Sequence, residues 1–200
     1  MSELQDFSLF ESNKPALIVI DVQQAIDHFS QGTRNNPDAE RVIANLLVCW
    51  RGAGLPVVHV RHGSKYPNSP YHPDSPYFAF KAEVMPAPGE KIFTKSENCA
   101  FIGTTLESWL NDQDITEMVV CGVLTNNSVD ATVRVAAGLG YSIFLPKDAA
   151  AAFSLKRLDG KVVAAEDVHW IFLSNLDGEY CRVCSAEDLI RYVDTSGKRC

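Results

Sequence analysis

Short apolar runs rich in β-branched residues alternate with segments of helical spacing along the whole chain. ALIVIDVQ (16–23) has no polar face and ends in polar residues, so it reads as a strand buried on both sides. Residues 37–53 open on Pro37 and Asp38. They carry Val42, Ile43, Leu46, Leu47 and Trp50 at helical spacing and end at Gly52 and Gly54. LPVVHVRH (55–62) and EKIFTK (90–95) read as the second and third strands, and FIGTTLESWLNDQ (101–113) as a helix with Leu106, Trp109 and Leu110 on one side. EMVVCGVL (117–124) is the fourth strand. VDATVRVAAGLG (129–140) is a helix closed by glycine, and YSIFLP (141–146) is the fifth strand. A helix over 165–176, a sixth strand EYCRVC (179–184) and a last helix SAEDLIRYV (185–193), with Ser185 as N-cap, complete the series.

Strands that alternate with helices imply crossover connections and a parallel sheet covered on both faces. The 200 residues contain no low-complexity break, so one domain over 1–200 is expected. A chain of that size hides about 70 % of its unfolded surface, enough for a core without metal or disulfides. In such sheets the ligand crevice lies beyond the carboxyl ends of the strands. Asp21 follows the first strand, Lys95 the third, and Thr125 to Ser128 the fourth. These places can converge on one crevice.

Several function classes are excluded. The net charge is −7 and the basic residues are scattered, which argues against nucleic acid and against a membrane surface. No apolar run approaches the roughly 18 residues of a spanning helix, and the polar, acidic start MSELQDFSLFESNK is no secretory signal. A cytoplasmic location is expected, with all six cysteines as thiols. Cys181 and Cys184 form a C-x-x-C, but no second pair completes a zinc site. His59 and His62 are three apart on a strand and so face opposite ways. G-x-G-x-x-G after a strand, G-x-x-x-x-G-K-[ST] and G-x-S-x-G are all missing. No metal and no cofactor are expected.

Residues 63–90 hold six of the ten prolines, interleaved with Tyr66, Tyr71, Tyr77, Phe78 and Phe80. The stretch is long for a connection and aromatic for a disordered one. A lid over the crevice, a contact with a neighbouring subunit and a loop packed on its own surface all remain open.

The groups left to do chemistry are an acid, an amine and a hydroxyl. A carboxylate at the end of an apolar strand, as at Asp21, is costly unless it is paired or set in a cleft; a helix cap or a buried ion pair would account for it as well. Lys95 holds the same position on another strand. Ser128 follows Asn127, a good N-cap, and would lie in the first helical turn among free N–H groups able to hold an oxyanion. On spacing alone, an ordinary first-turn serine is the simpler account.

ALIVIDVQQ (16–24), VVHVRHGS (57–64), KSENCAF (95–101), VVCGVLTNNSVDATVRVAAGLGY (119–141), KDAAAAF (147–153) and LSNLDGEYCRV (173–183), in that order and spacing, resemble the isochorismatase-like (cysteine hydrolase) family over nearly the full length. The resemblance implies a three-layer α/β/α fold with a six-stranded, mainly parallel sheet and a homo-oligomer, a dimer or higher. It implies hydrolysis of C–N bonds in small amides by a catalytic Asp, Lys and Cys. The Asp corresponds to Asp21 and the Lys to Lys95. The family's oxyanion donors correspond to the backbone N–H groups of Leu124 and Ser128, around a cis Val123–Leu124 bond. The nucleophile position holds Ser128, oxygen in place of sulfur. Cys99 is a conceivable substitute thiol. The D-x-H ligand motif of the family's zinc nicotinamidases is missing.

The expectation is a small-molecule hydrolase acting on an amide-like C–N bond through Asp21, Lys95 and Ser128. Isochorismatase-type vinyl-ether hydrolysis without a covalent intermediate is one alternative, and a catalytically silent binding or scaffold protein is another. Gln23, Phe78, Phe101, Asn127 and Phe153 are the expected pocket residues.

Overall fold

The computed structural model describes residues 10–12, 14–28 and 32–195. Most of the acidic start and Cys200 lie outside them. The strands are β1 (Ala16–Ile20), β2 (Val57–His62), β3 (Lys91–Lys95), β4 (Glu117–Val123), β5 (Ser142–Pro146), β6 (Ala150–Ala151), β7 (Leu155–Lys156), β8 (Val162–Val163) and β9 (Arg182–Cys184). The helices are α1 (Ala39–Gly52), α2 (Leu106–Asp112), α3 (Asp130–Gly138), α4 (Ala165–Leu176) and α5 (Ala186–Thr195). The main sheet has the order β3-β2-β1-β4-β5-β9, with β6 added against β4, and every pairing in it is parallel. The six expected strands are all present. Two-residue β6 is a seventh, and β7 and β8 form a small antiparallel pair of their own.

Because strand side chains alternate, β1 feeds two cores. Ile18 and Ile20 join Val58, Val60, Leu106, Leu110, Val133 and Leu173 on the face covered by α2, α3 and α4. Leu17 and Val19 join Val57, Leu46, Leu47, Trp50, Leu189 and Val193 on the face covered by α1 and α5. The result is the three-layer α/β/α arrangement. From β1 the chain steps outward through β2 to β3, then returns through α2 to β4 on the other side of β1. The strand order therefore reverses between β1 and β4, and that is where such sheets hold ligands.

The proline-rich segment is a ladder of turns. The carbonyls of Tyr66, Ser69, His72 and Ser75 accept from the N–H groups of Ser69, His72, Ser75 and Phe78 in succession. A proline follows each acceptor residue, at the second turn position, where its fixed φ suits the turn. The ladder is tied to the residues after β1: Gln24 and Ala25 donate to the carbonyls of Ala79 and Tyr77, and Lys81 donates to that of Val22. Tyr71 and Phe80 are buried, while Tyr66 is 78 % exposed. The segment is thus packed against its own chain and lies beside the carboxyl end of β1.

Cys99, Cys121, Cys181 and Cys184 are thiols. Cys49 is disulfide-bonded, so the expectation of six thiols does not hold. Among the described residues no helix is long and apolar enough to cross a membrane.

Candidate active site

Three strand ends supply the site. After β1 the backbone turns sharply, and Asp21 sits in the left-handed region with φ 55°. That conformation is uncommon for a residue with a side chain, although Asp tolerates it better than most. It is held by the Asp21 N–H donating to the Val60 carbonyl and the Asp21 carbonyl accepting from Gln23, both at 2.8 Å. Lys95 closes β3, in register with His62 on β2. Its side chain is fully buried.

Ser128 follows β4 in a π-helical turn, Thr125–Val129, in which the Val129 N–H reaches back to the Leu124 carbonyl at 3.2 Å. Single π turns are frequent at functional sites. The Val123–Leu124 peptide bond is cis. Gly122, φ 121°, lies against Ile20 of β1 so closely that a Cβ would run into the Ile20 carbonyl oxygen. The turn is also anchored from α4. His169 Nε2 lies 2.9 Å from the Lys147 carbonyl, which can only accept, so Nδ1 is the ring's acceptor and takes the Thr125 hydroxyl proton at 2.8 Å. Burial holds the His169 pKa below the usual imidazole value, in keeping with this neutral tautomer.

The three expected catalytic residues are brought together. Lys95 Nζ donates to Asp21 Oδ2 at 2.7 Å, to Ser128 Oγ at 3.1 Å and to the Glu97 carbonyl at 3.2 Å. An ammonium has three protons, so all its donors are used. Asp21 Oδ1 is buried without a partner among the described residues. A carboxylate oxygen left that way typically costs about 1–3 kcal/mol or more, which native cores generally avoid.

Asp21 and Ser128 line a cavity of about 250 Å³. Ile26, Val123, Leu124 and Tyr71 make its apolar walls, and His62, Ser64, Ser69, Asn98 and Asn127 its polar ones, with Tyr66 at the edge. Burial, then the nearby Lys95 charge, lowers the His62 pKa, so the imidazole is neutral near pH 7. Burial, then Asp21, raises the Tyr71 phenol, which stays protonated.

Of the five residues expected in the pocket, Asn127 lines it and four do not. Gln23 is fully buried and clamps the turn ladder: its amide donates to the carbonyls of Phe78 (2.9 Å) and His62 (3.2 Å) and accepts from the His62 N–H (2.8 Å). Phe78 lies under the Arg61 guanidinium. Phe101 belongs to the core beneath α2 and α3, beside Tyr141. Phe153 packs on Val123, Leu124 and Ala151 and pairs with Arg34 through the backbone. Cys99 is a core residue and does not line the cavity. His62, Ser64, Tyr66, Ser69 and Tyr71 were missed as wall residues. The sequence signal for them was the aromatic, proline-rich segment as a whole. Among the described residues no group of three or more His, Cys, Asp or Glu is arranged to hold a metal ion.

The sequence model of the isochorismatase domain matches residues 15–186. The isochorismatase family protein YrdC of Bacillus subtilis is 38 % identical over 177 residues, which is 88 % of this chain and 95 % of that protein. Streptothricin hydrolase of Streptomyces noursei is 37 % identical over 148 residues, 72 % of this chain and 57 % of the relative. The crystal structure of an isochorismatase-family protein from Chromobacterium violaceum superposes with a TM-score of 0.90 at 48 % identity, covering 93 % of this chain and 96 % of that one. The chain belongs to the isochorismatase family and is a hydrolase of that family.

Proposed function

We propose that the protein hydrolyses an amide-like C–N bond of a small molecule, with Asp21 as general base and then general acid, Lys95 as its electrostatic partner, and Ser128 orienting the attacking water. The observation that carries this reading is the buried chain Asp21–Lys95–Ser128, with contacts of 2.7 and 3.1 Å, at the wall of a cavity. The similarity to streptothricin hydrolase supports a hydrolytic reaction.

Water is the favoured nucleophile because the contacts of Ser128 do not activate it. A hydroxyl becomes a good nucleophile when an adjacent base takes its proton. The group bonded to Ser128 Oγ is the Lys95 ammonium, which donates to it. That contact fixes one lone pair and leaves the hydroxyl proton and the other lone pair to hold a water. Asp21 takes a proton as the water oxygen bonds to the carbonyl carbon. The backbone N–H groups of Leu124 and Ser128 receive the negative oxygen. The C–N bond then breaks, and Asp21 returns the proton to the departing nitrogen.

The test is Asp21→Asn assayed on a panel of small amides. An amide side chain cannot exchange the proton, so the rate should fall by about 10²–10⁴ while circular dichroism stays that of the parent. A variant that is folded and hydrolyses at the parent rate removes Asp21 from the mechanism.

A further inference from the structure

We propose that the cavity is selective for charge: it takes a small uncharged carboxamide and turns away carboxylates. This rests on the amidase reading above and goes on to the class of substrate. The reason lies in where the cations are. Among the described residues no Arg or Lys lines the cavity. The ammonium behind its wall, Lys95, has its three donors committed to Asp21, Ser128 and the Glu97 carbonyl. Its charge is already matched by the Asp21 carboxylate at 2.7 Å.

The remaining candidate cation is His62, and it is kept neutral by burial and by Lys95. A bound carboxylate would therefore lose its water without gaining a charged partner, beside the Asp21 carboxylate. Such desolvation costs several kcal/mol.

An uncharged amide fits the same walls. Ser64, Ser69, Asn98 and Asn127 offer hydroxyl and amide groups able to donate or accept, which match a neutral N–H and C=O. Tyr71, Ile26, Val123 and Leu124 offer an apolar surface for the rest of the molecule. The volume, about 250 Å³, is below the roughly 300–1,000 Å³ of sites for drug-sized ligands, so the ligand is small.

The experiment compares two ligands of one shape, benzamide and benzoate, at pH 7, by NMR titration of the parent protein. The amide signals of Leu124 and Ser128 report where they bind. Binding is read only from spectra in which the benzamide resonances show the ligand intact, so this measurement stands or falls separately from the hydrolysis assay of Asp21→Asn. Benzamide is expected to bind at least about tenfold more tightly than benzoate, a difference of about 1.4 kcal/mol. Asn98 is exposed at the cavity, so Asn98→Lys adds a cation without burying it. It should narrow the gap by raising benzoate affinity. Equal or tighter binding of benzoate to the parent protein overturns the proposal. So does failure of both ligands to bind at millimolar concentration, and so does an unchanged gap in Asn98→Lys.

Discussion

Lys95 Nζ lies 3.1 Å from Ser128 Oγ and serves it as a donor, from a side chain with no exposed surface. The family resemblance led us to expect a cysteine at this position, and the contact shows what a hydroxyl meets there instead. A thiol beside an ammonium at the start of a helix ionises readily. A hydroxyl in the same place stays a hydroxyl and becomes a fixed polar contact.

Replacing Ser128 separates the roles. If it orients water, Ser128→Ala keeps a measurable rate, lower by about tenfold, because the backbone donors and Asp21 remain. If it formed an acyl intermediate, the same change would leave almost nothing. Intact-protein mass spectrometry during turnover should show no adduct on the parent chain. Ser128→Cys should react with iodoacetamide faster than the natural thiols. Burial pushes Cys121 far up, and Cys181 and Cys184 up to about 12.

Removing one charge of the Asp21–Lys95 pair should cost more than removing both. Lys95→Met leaves a carboxylate buried and unpaired, so it should lose activity and about 3–5 kcal/mol of stability. Adding Asp21→Asn to it should restore much of the stability and none of the activity. Urea denaturation of the two single variants and the double variant measures the coupling. Additive losses would mean the ion pair is energetically idle.

Asp21 and Lys95 stand out in the sequence because they sit where strand patterns stop, whereas spacing makes Ser128 an ordinary first-turn serine and the family resemblance is what singles it out. The apolar run that ends in Asp21 marks a sheet's carboxyl edge before any topology is known, and Lys95 closes a more polar strand, KIFTK. The cavity walls were not legible in the same way. Phe78, Phe101 and Phe153 are apolar residues near the right positions, but which way each faces depends on packing set by other elements. Phe101 turns into the core under α2, whereas Tyr71 is aimed at the site by the turn ladder. The ladder itself was written in the spacing of Pro67, Pro70, Pro73 and Pro76, one every three residues. β6 escaped notice because two alanines carry no period, and it exists through its pairing with Gly122 and Val123.

Gly122→Ala tests how the turn that carries Ser128 is set. The position has φ 121°, and the added methyl would meet the Ile20 backbone. Left-handed strain alone costs roughly 1–2 kcal/mol for a non-glycine residue, and overpacking against backbone adds about 1–3 kcal/mol. We expect a loss of more than about 2 kcal/mol in chemical denaturation. Catalysis should also fall, because Leu124 and Ser128 move with the strand end. A variant as stable and as active as the parent would show that the close approach to β1 is not needed.

The cover of the site should come loose in acid, through Glu40. This residue of α1 accepts from Arg34 at 2.7 Å and from Lys81 of the proline-rich segment at 2.9 Å, and Lys81 also reaches Asp27 at 2.8 Å. Burial by itself would raise the Glu40 pKa, but the two cations outweigh it and hold the carboxyl at about 2, against 4.5 in an unstructured chain. A depressed carboxylate contributes stability that is fully present above the unfolded value. The contribution is lost as pH falls from about 4.5 toward about 2, because the unfolded chain then binds a proton that the folded one refuses. The amount is about 3 kcal/mol at most. Glu40→Gln should therefore be less stable than the parent at pH 7, and the difference should shrink steadily between pH 5 and pH 2. The buried histidines titrate alike in both proteins, so the comparison isolates Glu40. Thermal melts of both proteins across that range measure it, and a gap that stays constant with pH would mean that the Arg34–Glu40–Lys81 cluster does not fasten the cover to α1.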